Sequence, residues 1–169
     1  MRRRRPLAAD DDTAAFDCGR DALNHWFRRH AWRNQELGVS RTTVIWDAEA
    51  GSIVGHVSLS TAQVERAWSP KAQQRIRPGP LPAILLCQLA VDLRWQGQGI
   101  ARSLMFYALT TVVRLSDQVD CFCVLTHPLD GGVWALHAAF GFEDLPFDPA
   151  RSMAVRIADM VRSGFRAVD

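Results

Sequence analysis

Leu89-Ala90-Val91-Asp92-Leu93-Arg94-Trp95-Gln96-Gly97-Gln98-Gly99-Ile100-Ala101 is the stretch whose reading decides the fold. An apolar strand runs into a glycine-bearing turn, and an amphipathic helix begins directly after it. The helix is marked by Ala101, Leu104, Met105, Ala108, Leu109 and Val112, which repeat at the helical period. A strand ending at a helix start gathers unpaired backbone N–H groups, which can hold a phosphate. Gly97 and Gly99 carry no Cβ, so ligand oxygens can approach the backbone there. A plain strand-to-helix connection would show the same two glycines, and the neighbouring sequence has to separate the two readings.

Working outward, strand-like and helical segments alternate along the whole chain. Asp21 to about Gly38 carries an interrupted helical pattern, read as two helices with a bend. Val44–Trp46 and Ile53–Leu59 read as strands around a turn at Ala48–Ser52. Ser69 to Pro82 is a polar, proline-rich loop with one helical turn near Lys71–Gln74, and Ala83–Leu93 is a strand covered on both faces. Asp120–Leu125 is a further buried strand, Gly131–Ala139 a short helix, and Met153–Ile157 a strand. This order predicts an α/β fold, α+β in the sense of one mixed sheet with helices on it.

The chain has 169 residues, 48% of them apolar, which suits one domain over residues 1–169 with a single core. Twenty basic and 18 acidic side chains leave a net charge of +2, which excludes a disordered polyelectrolyte. Lys71 is the only lysine. This arginine bias fits either a GC-rich genome or bidentate phosphate contacts. Cys18, Cys87, Cys121 and Cys123 contain no CxxC pair, and Cys121 and Cys123 are expected on opposite faces of a strand. Neither a disulfide framework nor a metal site is implied, and free thiols fit a reducing cytoplasm. The Arg2–Arg5 run is not followed by a signal peptide's apolar region, and no apolar stretch spans a bilayer. The expectation is a cytoplasmic protein with no membrane partner.

Gln96-Gly97-Gln98-Gly99-Ile100-Ala101 after the Leu89–Val91 strand resembles the acetyl-CoA motif of the Gcn5-related N-acetyltransferases. Phe16-Asp17-Cys18-Gly19, Ser40-Arg41-Thr42, Leu89-Ala90-Val91-Asp92 and Leu136-His137-Ala138-Ala139-Phe140-Gly141-Phe142 are similar to motifs of one subgroup. That subgroup comprises the toxins of bacterial toxin–antitoxin pairs that acetylate the amine of charged tRNA. The resemblance implies a sheet in which two neighbouring strands splay apart. Leu89, Ala90 and Val91 would then pair with the pantetheine arm of acetyl-CoA. Gln96, Gly97, Gln98, Gly99, Ile100 and Ala101 would seat its pyrophosphate, with Arg94 and Arg102 neutralising charge beside them. It also implies an aminoacyl-tRNA substrate, a small antitoxin partner and a homodimer. Two departures stand out: Cys87-Gln88 occupies a place where the subgroup carries Gly-Arg, and His137 stands where it carries a tyrosine acid.

The chemistry needs a neutral amine to attack the thioester. An α-amine titrates near roughly 7.7–8.0 and lysine near about 10.4, so an α-amine needs less help from a base. The central strands offer no dedicated carboxylate base, which favours the α-amine, with water carrying the proton away. The departing thiolate needs a proton, and His137 is the candidate acid, because an ordinary histidine is charged in roughly a quarter of molecules at neutral pH. The same histidine would also suit a helix surface. For tRNA phosphates the candidates are Arg28, Arg29, Arg33, Arg41, Arg75 and Arg77, which read equally as solvated surface. His25 and His30 read as surface or packing residues, and His127 falls at a strand end. Acetylation of a small amine or a protein N-terminus, and a catalytically impaired acetyl-CoA-binding protein, are the alternatives.

Overall fold

The computed structural model describes residues 1–75 and 77–165. Its strands are β1 (Arg2–Pro6), β2 (Arg41–Asp47), β3 (Ser52–Val64), β4 (Leu81–Val91), β5 (Cys123–Thr126), β6 (Glu143–Asp144) and β7 (Met153–Arg156). Its α-helices are α1 (Asp21–Trp26), α2 (Trp32–Glu36), α3 (Lys71–Gln74), α4 (Ile100–Ser116), α5 (Gly131–Ala139) and α6 (Ile157–Arg162). The sheet runs β1-β2-β3-β4-β5-β7-β6. The β4–β5 pair is parallel, whereas β1–β2, β2–β3, β5–β7 and β6–β7 are antiparallel. This is the mixed α/β sheet that the sequence predicts.

The chain divides into two compact units. The first contains Met1–Ser60 and Cys87–Tyr107. Its core gathers Leu7, Phe16, Phe27, Ala31, Val44, Ile53 and Ala90, with Trp26, Trp32 and Trp46 packed against it. The bend expected between Asp21 and Gly38 is a π-helical turn, Phe27–Ala31, which joins α1 to α2 and buries Phe27 and Ala31. Gly55 lies so close to β4 that a Cβ there would meet the Ala90 carbonyl oxygen at 3.0 Å.

One element of this unit differs from expectation. The Arg2–Arg5 run is a strand, paired antiparallel with Val44–Asp47 of β2. Four successive arginines offer no alternation to read, so the pattern conceals a strand. On the edge of a sheet, such charges disfavour pairing with another chain. Arg5 is held by the Asp11 carboxylate and lies over the Trp46 ring.

The second unit contains Thr61–Leu86 and Ala108–Asp169. Val64, Ala83, Cys123, Leu125 and Leu145 form its core cluster. The α5 boundaries agree with the sequence pattern, because Asp130 caps the helix by accepting from the N–H groups of Gly132 and Val133. Cys121 precedes β5 instead of lying within it, half-buried beside the buried Cys123, and all four thiols are free.

Candidate active site

In the first unit, β4 stops at Val91 because Asp92 closes it. The Asp92 carboxylate is buried and accepts from the N–H groups of Asp17 and Arg94 at 3.2 and 3.0 Å. A 3-10 turn, Leu93–Trp95, follows, and the Leu93 N–H donates to the Asp17 carbonyl at 2.8 Å. The Gln96 side chain then clamps the loop, donating to the carbonyls of Val91 at 2.9 Å and Cys18 at 3.1 Å. The Phe16–Gly19 motif thus braces the glycine turn through backbone bonds.

Gly97 and Gly99 adopt φ of +74° and +77°, and a Cβ at either would project into open space. Helix α4 starts with the Ser103 N–H donating to the Gly99 carbonyl at 3.0 Å. The first-turn N–H groups of a helix have no intrahelical acceptor, and the helix dipole favours an anion there. A cavity of about 430 Å³ opens beside them, lined by Arg2, Arg3, Arg4, Ile45, Gln98, Gly99, Ile100 and Ser103. Arg2 donates to the Gln98 side chain at 3.1 Å and lies 4.5 Å over the Trp95 ring, while Arg4 lies 5.1 Å over Tyr107. The three arginines were legible as a charge run, but their place on a strand beside this turn was not.

Arg94 also fixes the turn, since its Nε and Nη2 both donate to Asp92, at 2.8 and 3.0 Å. Burial works against the Asp92 charge, yet the bonds from Arg94 and Asp17 hold its carboxyl below the usual range. Arg102 is exposed on the first turn of α4. Leu89 is half-buried at the end of β4, and Ala90 and Val91 are buried. Of the arginines assigned to tRNA in this unit, Arg28 is committed to the Phe16 carbonyl at 2.7 Å, and Arg33 and Arg41 are exposed.

In the second unit, Arg75 is exposed, whereas Arg77 donates to the Gln73 carbonyl and packs over Phe122. His137 is buried and edge-on to Phe142. Its Nδ1 donates to the Val133 carbonyl at 2.7 Å, and its Nε2 meets the Thr126 hydroxyl at 3.2 Å. Burial lowers the His137 pKa despite the Val133 bond, so its charged fraction at neutral pH falls below that of an ordinary histidine. A ring with both nitrogens spent inside the fold is a packing residue, and this replaces the expectation that His137 acts as the general acid. His137→Ala is expected to cost about 2–3 kcal/mol of folding stability, from lost packing and an orphaned Thr126 hydroxyl. Chemical denaturation tests this, and a variant as stable as the parent contradicts it. Among the described residues, no group of three or more His, Cys, Asp and Glu could hold a metal ion. No helix of the described residues is long and apolar enough to cross a membrane.

The glycine turn and the first turn of α4 thus share an arginine-lined cavity. The profile of the acetyltransferase (GNAT) family matches residues 8–142, and the chain belongs to that family of acyl-group transferases. It is 33% identical over 149 residues to a tRNA-acetylating toxin of Mycobacterium tuberculosis, with 88% of this chain and 89% of that protein covered. Its fold is that of the toxin AtaT complexed with acetyl-methionyl-tRNAfMet, with a TM-score of 0.88, 24% identity, and 96% and 99% of the two chains covered. A tyrosine-to-phenylalanine variant of AtaT, bound to the C-terminus of its antitoxin AtaR and to acetyl-CoA, matches with a TM-score of 0.81 and 21% identity over 98% and 99% of the chains.

Proposed function

We propose that this protein transfers the acetyl group of acetyl-CoA to the α-amine of an aminoacyl-tRNA in the cytoplasm, and that a small antitoxin protein blocks it. The observation that carries the acetyl-CoA half is the cavity at the head of α4. There Gly99, Ile100 and Ser103 share one space with Arg2, Arg3 and Arg4. A diphosphate fits that donor set, since backbone N–H groups and guanidinium groups both donate to phosphate oxygens without needing a proton to move. The positive φ of Gly97 and Gly99 leaves the approach to those amides open. Here Gly97, Gly99, Ile100 and Ala101 hold the pyrophosphate, Asp92 and Gln96 hold the loop, and Leu89 and Val91 offer backbone groups to the pantetheine arm.

The tRNA half is supported by the likeness of nearly the whole chain to a tRNA-acetylating toxin. Arg29, Arg33, Arg41 and Arg75 are exposed members of the arginine set assigned to phosphate contact, and Arg28 is exposed but bonded to the Phe16 carbonyl. One observation favours a second reading, a non-catalytic acetyl-CoA-binding protein: the residue in the tyrosine position, His137, is sealed inside the fold.

Incubation with radiolabelled acetyl-CoA and a pool of charged tRNAs separates the two. Label recovered as N-acetyl aminoacyl-tRNA, with binding that weakens steeply as salt rises, is the expected result. Tight acetyl-CoA binding without transfer to charged tRNA overturns the tRNA reading.

A further inference from the structure

We propose that Arg2 and Arg4 of β1 form a subsite for the 3′-phosphate of CoA, so that the protein selects its acetyl donor by the nucleotide end. The proposal rests on the acetyl-CoA reading above and gives the N-terminal arginines a task separate from the pyrophosphate.

The register of β1 decides which guanidinium groups face the cavity. Arg2 pairs with Asp47 and Arg4 with Ile45 of β2. Side chains alternate across a strand, so Arg2 and Arg4 leave one face of the sheet and Arg3 and Arg5 the other. The ring contacts agree: Arg4 lies over Tyr107 of α4 and Arg2 over Trp95 just before that helix, whereas Arg5 lies over Trp46. The buried Ile45 and Ile100 give the cavity an apolar wall, and Gln98 and Ser103 add polar groups to its rim. A volume of about 430 Å³ falls in the range of small-molecule sites.

The fold leaves charge unbalanced on this face. Arg5, on the other face, is neutralised by Asp11. Arg2 gives Nε to Asp47 at 3.1 Å but turns Nη2 to the neutral Gln98 side chain. Arg4 has no ion-pair partner among the described residues, and its guanidinium is held over the Tyr107 ring. A guanidinium stacked on a ring is oriented by its flat face, and the N–H groups along its edge stay available to an anion. Two such groups on one cavity wall suit an acceptor with several oxygens and more than one negative charge.

CoA offers that acceptor. Its pyrophosphate suits the turn amides, whose helix-end dipole amounts to roughly half a charge. Its 3′-phosphate is a monoester and carries about −1.5 to −2 charges at neutral pH, as other phosphate monoesters do. That group calls for full positive charges, and Arg2 and Arg4 supply them. The apolar wall of Ile45 and Ile100 suits the purine carried by the same ribose.

The test is calorimetric titration of the full chain with CoA and with 3′-dephospho-CoA. The parent is expected to bind 3′-dephospho-CoA about 10-fold more weakly, the low end for charge-assisted bonds because both arginines are exposed. The ratio should narrow as salt rises, since exposed charges are screened. Arg4→Gln should shrink it most, and Arg3→Gln, which removes an equal charge from the opposite face, should shrink it least. A parental ratio near one overturns the subsite while leaving the acetyl-CoA reading intact, and that comparison requires no variant to fold. A ratio that survives in a stably folded Arg4→Gln variant also overturns it, and so does an equal fall in Arg3→Gln, which assigns the effect to net charge. Charged tRNA binding lost in Arg4→Gln at an unchanged ratio overturns it in favour of RNA contact. A chain that binds neither CoA nor 3′-dephospho-CoA overturns the acetyl-CoA reading and the subsite together.

Discussion

Replacing Gly99 with valine is expected to raise the dissociation constant for acetyl-CoA about 100-fold, equivalent to about 2.7 kcal/mol. Two effects of separate origin combine. At φ +77°, an L-residue is strained by about 1–2 kcal/mol, and a β-branched one is accommodated worse. A loop that relaxes to relieve this turns its amides away from the cavity and forfeits charge-assisted hydrogen bonds of roughly 1.5–3 kcal/mol each. A loop that keeps its shape instead points the new side chain into the open space that glycine leaves, where phosphate oxygens would approach. Calorimetric titration with acetyl-CoA reads the change, and a melting curve reads any loss of fold. Unaltered affinity in a stable variant would remove this turn as the seat of the pyrophosphate.

Acid is expected to destabilise the protein well above the carboxylate range, chiefly through His56. Its ring is fully buried on β3, stacked 4.0 Å from Phe27 with Phe16 and Trp26 around it, and neither nitrogen has a hydrogen-bond partner. Burial pushes its pKa down to about 3. The folded state holds His56 neutral while the unfolded chain takes up a proton below its ordinary value. Stability is therefore fully present above about pH 6.5 and is lost as pH falls from there toward 3. Each pH unit in that window costs up to about 1.4 kcal/mol, so the loss at pH 4 is of order 3 kcal/mol. His137, also lowered by burial, adds a loss of the same sign. Asp11, Asp92 and Asp148 lie below their usual range, so their contribution is lost only as pH falls below about 4. Denaturant unfolding between pH 7 and 4.5 isolates the histidines. His56→Leu should flatten that slope substantially while leaving stability at pH 7 little changed. An equally steep slope in the variant would exclude His56 as its source.

The glycine turn, α5 and β7 were legible because short-range rules set them. Glycine tolerates the left-handed backbone, Asp130 caps its own helix, and alternation marks a strand with one face covered. The π-helical turn showed only as an interrupted helical pattern between Asp21 and Gly38, since its cause is the burial of Phe27 and Ala31 in one core. Site chemistry was less legible. Arg94 and His137 are identified by type and position, but their work depends on partners. Asp92 takes Nε and Nη2 of Arg94, and Val133 and Thr126 take both nitrogens of His137. Conversely, His127 read only as a residue at a strand end, and the fold alone brings the Ser152 hydroxyl to its Nδ1.

Residue order alone determined the mixed α/β class and the strand–turn–helix junction, which follow from periodicity and from backbone freedoms that each short segment carries within itself; the acyltransferase family was legible only through the resemblance of its motifs. Which arginines face the cavity and which histidine is sealed were settled only by the folded chain. Charge and proton affinity respond to neighbours within a few ångströms, and strand pairing selects those neighbours from distant parts of the sequence.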